Sequence, residues 1–292
     1  MGGVENGDHL YFEGVETPGR VASRGVRAPR ASVAAGDQGV DEFFDWLFER
    51  AGLAARHYRG TSLARRLSAC LRAVGGRDAA DARRRIEGEP ALLRAAVGAV
   101  LLGVTEFARD EAVFETLQST VVPRFRERRG RIRVWSAACS DGHELYSVAI
   151  LLAEAGLLGN CELWGTDCRG EAIERAAAGV FPGEALGKVG TAARARHFRV
   201  EGRVARASGE LCGAMRWKVA DLLAGAEPGP WDVILWRNMA IYLTPDAAER
   251  VWRRVTAELG PGGYLVVGKA DHPPVGPGLR RVATCVYQKV DD

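Results

Sequence analysis

A loop of small side chains and a carboxylate farther along the chain give this 292-residue sequence its clearest chemical signal. The loop, residues 136–142, follows the run IRVW, and its small side chains would let backbone N–H groups at a helix start approach a ligand closely. Asp167 ends the next apolar run, where a carboxylate can accept hydrogen bonds from ribose hydroxyls. The loop has neither the glycine pattern of dinucleotide sites nor the lysine of phosphate-binding loops. The pattern therefore predicts a nucleoside ligand without a phosphate chain, such as S-adenosylmethionine.

A sheet must position these residues, and from residue 131 onward the sequence alternates between β-rich runs and amphipathic helices. Such alternation predicts a mostly parallel sheet with helices on both faces. The predicted strands are 132–136, 161–166, 215–220, 231–236, 263–269 and 282–289, and the predicted helices are 143–155, 170–178 and 245–259. Residues 181–214 mix polar residues, glycines and short apolar runs, so we expect an insertion there that carries a small hairpin or two.

The region before the sheet has only helical periodicity. Residues such as Phe44 and Leu47 recur at the spacing of one helix face, and further helices are predicted over 61–74 and 90–104. Asp110 is predicted to cap the helix that follows it. We expect three parts, a flexible tail, a helical domain with its linker helix and the sheet-containing domain, over residues 1–38, 39–123 and 124–292.

Composition argues against several classes of function. The net charge of +3 is small for this length, so we do not expect nucleic acid as a partner. The six cysteines have no spacing typical of a metal site, so we expect neither a metal nor structural disulfides. No apolar run approaches the ~20 residues that span a bilayer, and no secretory signal is evident. We therefore expect a cytoplasmic protein without membrane insertion, whose oligomeric state the sequence does not indicate.

Five motifs then narrow the interpretation. In chain order they are TEFARD, VWSAACSDGHELYS, GTD, RN with IY two residues later, and PGGYLVVG, at residues 105–110, 134–147, 165–167, 237–242 and 261–268. In these motifs the chain resembles the CheR family, the chemotaxis receptor methyltransferases that use S-adenosylmethionine to esterify glutamate side chains. The resemblance implies an α/β fold with a Rossmann-like class I methyltransferase domain, a small inserted β subdomain and an all-α N-terminal domain. It implies S-adenosylmethionine as the cofactor and S-adenosylhomocysteine as its product.

The resemblance also implies cofactor contacts for residues of this chain. Asp167 would accept the ribose hydroxyls, and Asn238 would lie near the amino-acid part. Thr105 and Arg109, from the helical region, would close over the cofactor. The other implied cofactor residues are Ala137, Cys139, Gly142 and Glu144 at the methionine end, and Asp221 near the adenine, with Leu222 beside it in sequence.

Methyl transfer from a sulfonium is an in-line displacement, so the protein mainly aligns donor and acceptor and excludes water. A carboxylate acceptor is already ionised at neutral pH and needs no general base. Arg109 could orient such an acceptor, and Tyr242, which the resemblance places toward the substrate, could donate a hydrogen bond. An amine or hydroxyl acceptor would have to lose a proton, and His143 or Tyr242 would be the first candidates for that base. The candidate catalytic residues are therefore Arg109, Tyr242 and His143.

Several assignments have simpler alternatives. Asp167 could cap the helix that begins near Gly170, Asn238 could hold a turn, Arg109 could pair with Asp110 or Glu106, Asp221 could be an ordinary acid at a strand end, and Tyr242 could be a core aromatic residue.

The loop after the first strand also departs from the family pattern. His143 stands where the family has a carboxylate, and Asp141 stands where it has threonine. The helix predicted over 61–74 carries fewer positive charges than family members usually show. The acceptor is therefore open: a protein carboxylate, a small molecule of a specialised O- or N-methyltransferase, or none, if the chain is a non-catalytic regulator that binds the cofactor or its product.

Overall fold

The computed structural model describes residues 35–101, 103, 105–126, 130–274 and 278–290. Residues 1–34 of the predicted tail lie outside the described residues. The first described helix begins at Ala35, within the predicted tail. The predicted limits of the three parts of the chain stay predictions.

The described residues before the sheet form helices α1 (Ala35–Arg50), α2 (Gly60–Ala64), α3 (Leu67–Val74), α4 (Ala79–Gly88), α5 (Leu92–Val100), α6 (Glu111–Thr116) and α7 (Val122–Arg126). Phe44 and Leu47 are buried on one face of α1, as the periodicity predicts. The prediction of one helix over 61–74 is wrong. The N–H of Arg66 bonds to the carbonyl of Leu63 at 2.8 Å, and this tight turn separates α2 from α3.

Two other helices differ from the sequence prediction. Helix α5 ends at Val100, short of the predicted residue 104. Helix α4 was not predicted, although it has a capping signal at its start. The Asp78 carboxylate accepts a hydrogen bond from the N–H of Asp81 at 2.8 Å, which satisfies a donor in the first turn of α4.

The rest of the described chain contains strands β1 (Ile132–Ala137), β2 (Cys161–Asp167), β3 (Val180–Pro182), β4 (Phe198–Glu201), β5 (Val204–Ala207), β6 (Met215–Val219), β7 (Trp231–Trp236), β8 (Leu259–Val267), β9 (Leu279–Ala283) and β10 (Val286–Lys289). Its helices are α8 (His143–Glu154), α9 (Gly170–Ala178), α10 (Thr191–His197), α11 (Gly209–Gly213) and α12 (Pro245–Ala257). The three helices predicted in this region therefore form, as α8, α9 and α12.

Within the described residues, the main sheet has seven strands in the order β6-β2-β1-β7-β8-β10-β9. The pairs from β6 to β8 are parallel, and β10 is antiparallel to both of its neighbours. This arrangement confirms the predicted α/β fold with a mostly parallel sheet. The segment predicted as one strand over 282–289 is the hairpin β9–β10, because Cys285 adopts a left-handed backbone with φ of 62° and turns the chain back.

The predicted insertion forms a separate sheet of three strands in the order β3-β5-β4, with antiparallel pairing throughout. It also contains α10 and α11. This is the small β subdomain that the resemblance implies.

Backbone hydrogen bonds join the helical region to the turn between β7 and α12. The N–H of Arg59 donates to the carbonyl of Tyr242 at 2.9 Å, and the N–H of Thr244 donates to the carbonyl of His57 at 2.9 Å. Tyr58 and Leu243 form an antiparallel bridge at the same place. The segment between α1 and α2 therefore lies beside the turn that follows β7. Among the described helices, none has the length and apolar character needed to cross a membrane.

Candidate active site

A cleft of about 1170 Å³, partly open to solvent, lies at the carboxyl ends of β1, β2 and β7. The strand order reverses at β1, since the chain adds β2 and β6 on one side of it and β7 on the other. In open parallel sheets, ligands bind at such a switch point. The cleft is lined by Tyr58, Ser62, Leu63, Arg66, Val100, Leu101, Gly103, Thr105, Glu106, Arg109, Ala138, Cys139, Ser140, Glu144, Asp167, Cys168, Arg169, Arg237, Asn238, Met239 and Tyr242.

The cleft brings together most of the site residues predicted from the sequence. Those that line it are Thr105, Arg109, Cys139, Glu144, Asp167, Asn238 and Tyr242. The predicted residues outside its lining are Ala137, Gly142, His143, Asp221 and Leu222.

The loop after β1 is built from tight backbone turns. Ala138 and Ser140 have φ of 58° and 52°, and Gly142 has φ of 84°. A Cβ at Gly142 would lie 2.8 Å from the Trp217 ring and 2.9 Å from the Cβ of Ala176. Packing beneath the loop therefore requires a residue without a side chain at position 142. Gly142 affects the cleft only indirectly, because its positive φ sets the backbone conformation of the loop.

Asp167 is buried at the end of β2, and both of its carboxylate oxygens accept hydrogen bonds. Oδ1 accepts from the N–H and the Nε of Arg169, each at 3.0 Å, and Oδ2 accepts from the N–H of Ser140 at 2.9 Å. The bond to the N–H of Arg169 reaches only the residue before α9 and no N–H of the helix's first turn, so the capping alternative does not describe Asp167. Its carboxylate lines the cleft.

Arg237 connects three walls of the cleft. Its guanidinium donates to Glu144 Oε2 at 3.0 Å, to Asp110 Oδ2 at 3.0 Å and to the carbonyl of Arg109 at 2.6 Å. Asp110 occupies the N-cap position of α6, as predicted, but it has φ of 62° and its side chain makes no cap bond. Its carboxylate instead forms ion pairs with Arg237 and with Lys269, whose Nζ lies 3.2 Å from Oδ1.

Asn238 occupies the turn after β7 in a left-handed conformation with φ of 57°. Its N–H donates to the carboxylate of Asp271, which also accepts from the N–H of Gly268 at 3.0 Å. Burial raises the pKa of Asp271. Asn238 thus lines the cleft and is also held by a turn, as the simpler alternative proposed. Sequence reasoning missed Asp271, although it follows the PGGYLVVG motif closely.

His143 lies beneath the loop in a cluster of aromatic rings. Its ring centroid is 4.9 Å from those of Phe107 and Phe181 in edge-on geometry, and the side chain is buried. Burial lowers the pKa of the imidazole, which favours the neutral form. This location argues against the role of general base. The neighbouring departure, Asp141, points to the surface and pairs with Arg175 at 2.9 Å.

Asp221 is not among the residues that line the cleft. Its Oδ1 accepts a hydrogen bond from the N–H of Leu223 at 2.9 Å, as an ordinary acid after a strand often does.

The pKa of the Tyr58 hydroxyl is raised well above its usual value, first by burial and then by the neighbouring Cys168 and Asp221.

Several lining residues were not predicted from the sequence. Arg169 follows Asp167 by two positions, and this closeness in sequence could have indicated that it lies at the site. Tyr58, Ser62 and Arg66 line the cleft only because of the way the helical region packs. Cys168 also lines the cleft, and burial raises the pKa of its thiol to about 12. Within the described residues no group of three or more His, Cys, Asp or Glu side chains could hold a metal ion.

The profile described as CheR methyltransferase, SAM binding domain, matches residues 103–282. The chain belongs to the CheR methyltransferase family. The family resemblance, the S-adenosylmethionine-dependent methyltransferase activity and the cofactor predicted from the sequence are thereby confirmed.

Curated relatives agree with this family membership. The chemotaxis protein methyltransferase of Klebsiella aerogenes is 32% identical over 236 residues, which cover 77% of this chain and 80% of that protein. The chemotaxis protein methyltransferase of Listeria innocua is 28% identical over 201 residues, which cover 68% of this chain and 77% of the relative. That of Salmonella typhimurium is 31% identical over 237 residues, which cover 77% of this chain and 81% of the relative. This CheR methyltransferase is therefore similar to such proteins over most of its length.

Proposed function

We propose that this CheR methyltransferase transfers the methyl group of S-adenosylmethionine to a carboxylate side chain of a chemoreceptor protein. The curated relatives are named chemotaxis protein methyltransferases, which favours a protein acceptor of that class over a small molecule or a purely regulatory role. A cytoplasmic location would suit this role and stays a prediction. The observation that carries the choice of a carboxylate is the absence of a suitable general base among the described residues of the cleft.

None of the described lining residues is a histidine or a lysine. Each lining carboxylate is already in an ion pair: Glu144 with Arg237, Asp167 with Arg169, and Glu106 with Lys188. The Cys168 thiol stays protonated at neutral pH because burial raises its pKa to about 12. An amine or hydroxyl acceptor would thus find Tyr242 as its main candidate base, whereas a carboxylate, with a usual pKa of about 4, needs none.

The lining residues fit the cofactor in chemical type. The amino-acid end carries an ammonium and a carboxylate, and the cleft offers both Glu144 and the Arg109 and Asn238 side chains. We assign the ribose to Asp167 and the cover over the cofactor to Thr105 and Arg109. The methionine end is assigned to Cys139 and Glu144, with Ala137 and Gly142 shaping the loop, and the adenine is assigned to the side of Asp221 and Leu222.

Bound there, the cofactor supplies an electrophilic methyl group on a sulfonium. The protein aligns the acceptor with that methyl group and excludes water. Among the described residues that line the cleft, four are arginines, Arg66, Arg109, Arg169 and Arg237, against the three carboxylates already named. We assign orientation of the acceptor carboxylate to Arg109 and a hydrogen bond to the acceptor to Tyr242, whose backbone is fixed by Arg59.

The test uses cofactor labelled in the methyl group, the full chain and the cytoplasmic fragment of a chemoreceptor. We expect label in the receptor that is released as volatile methanol by mild base, because carboxyl methyl esters hydrolyse there and N-methyl or ether groups do not. A receptor fragment whose methyl-accepting glutamates are replaced by alanine is the control and should stay unlabelled. Base-stable label would contradict the carboxylate assignment, and cofactor binding without transfer to receptor would contradict the proposed acceptor.

A further inference from the structure

The ion pair of Asp167 and Arg169 occupies the place where the ribose of the cofactor is expected. The side chains of Asp167 and Arg169 are only 6% and 5% exposed, and both line the cleft. Besides its two bonds to Oδ1, Arg169 places NH2 at 3.4 Å from Asp167 Oδ2 and at 2.9 Å from Ser140 Oγ. The guanidinium is therefore part of the cleft wall and of the carboxylate's hydrogen-bonding shell.

An ionised carboxylate offers about four lone-pair positions to donors. Oδ1 of Asp167 already accepts two bonds of 3.0 Å, both from Arg169. Oδ2 accepts one good bond of 2.9 Å from Ser140 and one long contact of 3.4 Å from Arg169 NH2. Only the long contact can be replaced at small cost, because NH2 keeps its bond to Ser140 Oγ.

Arg169 is also prevented from swinging away. Gly103, from the segment before α6, covers it, and a Cβ at Gly103 would lie 3.0 Å from Ser140 Oγ and 3.7 Å from Arg169 NH2. Moving the guanidinium would break a buried ion pair and leave each of the two charges without its counter-charge. The guanidinium therefore stays in place when the ribose enters.

We propose that Arg169 is a specificity-determining residue that limits Asp167 to one hydrogen bond from the ribose, accepted at Oδ2. A ribose diol then contributes unequally to binding, with one hydroxyl recognised by Asp167 and the other not. The inference rests on the proposed position of the cofactor ribose at Asp167.

Calorimetry of the full chain with S-adenosylhomocysteine and with its 2′-deoxy and 3′-deoxy analogues tests this directly. We expect one of the two deletions to weaken binding by about tenfold or more, the usual loss for a hydrogen bond to a charged group, and the other by less than about threefold. Equal losses for the two analogues, or no loss for either, would overturn the proposal. Absence of binding by S-adenosylhomocysteine itself would instead overturn the proposed function, and the inference with it.

The variant Arg169→Met removes the guanidinium donors and keeps an unbranched side chain that reaches as far as the Nε position. Each oxygen of Asp167 then keeps one backbone donor and gains a free position, so both deoxy analogues should now lose about tenfold or more relative to the parent ligand. Arg175→Met, on the helix α9 that Arg169 precedes and paired with Asp141 outside the cleft, is the matched control and should keep the unequal pattern. An unequal pattern that persists in Arg169→Met would assign the selectivity to another residue. If that variant does not fold, the three ligands on the unaltered chain still decide the question.

Discussion

The guanidinium of Arg237 donates to the carboxylate of Glu144 across 3.0 Å, and this contact fastens the turn after β7 to the first turn of α8. The same guanidinium holds Asp110 and the carbonyl of Arg109. The Arg237 side chain is only 2% exposed, so the charge depends on these partners. One side chain thus fixes the relative positions of two strand-end loops and the segment that carries Arg109.

Replacing Arg237 by methionine should lower the free energy of unfolding by about 3 kcal/mol, because Glu144 and Asp110 would lose their buried partner. Urea unfolding followed by tryptophan fluorescence measures this. Arg253→Met is the matched control: Arg253 pairs with Glu249 at 3.7 Å on the exposed side of α12, where the pair contributes little. A loss no greater than that of the control would show that Arg237 does not hold the cleft together.

Replacing Gly142 by alanine should destabilise the protein by about 1–3 kcal/mol, with or without the cofactor. The reason is the close approach of a Cβ to Trp217 and Ala176 and the positive φ at this position. Thermal unfolding of the unliganded protein checks it. Gly159→Ala, where a Cβ would meet no atom within 4 Å, should change little. Unchanged unfolding of Gly142→Ala, with weaker cofactor binding alone, would mean that ligand approach and not packing requires the glycine.

Replacing Tyr242 by phenylalanine should reduce kcat/KM for a carboxylate acceptor by about tenfold, the cost of one hydrogen bond in the transition state. If Tyr242 were a general base, the loss would be on the order of 10²–10⁴-fold. Steady-state kinetics with the receptor fragment distinguishes the two. Tyr287→Phe on β10, outside the lining of the cleft, serves as the control. Full activity in Tyr242→Phe would remove Tyr242 from the mechanism.

Stability should fall in mild acid in a way that depends partly on His143. Burial lowers its pKa in the folded state below the ordinary value of 6.5, so the unfolded chain binds the proton more readily. The stability that comes from the neutral, buried ring is therefore complete above pH ~6.5 and decreases as the pH falls through the folded-state pKa. The difference in unfolding free energy between pH 7.5 and pH 5.5 should be smaller in His143→Leu than in the unaltered protein.

The same variant separates packing from catalysis. Because His143 faces Phe107 and Phe181 and does not line the cleft, the pH profile of kcat in His143→Leu should keep its shape. Loss of an ionisation from that profile would restore His143 as a base. An equal pH dependence of stability in the two proteins would contradict the titration described for the ring.

Local signals in the sequence were sufficient for the order of elements and for the cofactor. The alternation of apolar runs and helices depends on neighbouring residues, so β1, β2, β7 and α12 could be predicted near their observed positions. The motifs that contain Cys139, Asp167 and Asn238 lie at the carboxyl ends of β1, β2 and β7, which meet at one edge of the sheet and bring these residues together. The ends of helices and strands that are set by a single turn were predicted poorly, as at Arg66 and Cys285. A tight or left-handed turn does not change the periodic spacing of apolar residues on which the prediction depended.

The sequence by itself determined the fold class, the family and the nucleoside-type ligand, because each follows from short-range pattern or motif order. Only the tertiary structure decided which of those residues reach the cleft and what they contact there. In that structure His143 packs among aromatic rings, and Asp110 forms an ion pair with Arg237. The guanidinium of Arg169 contacts the carboxylate of Asp167, which is expected to bind the ribose. These contacts join residues from separate elements, and burial strengthens them by removing the competing water. Because these contacts depend on tertiary packing, the order of residues in the sequence could not predict them.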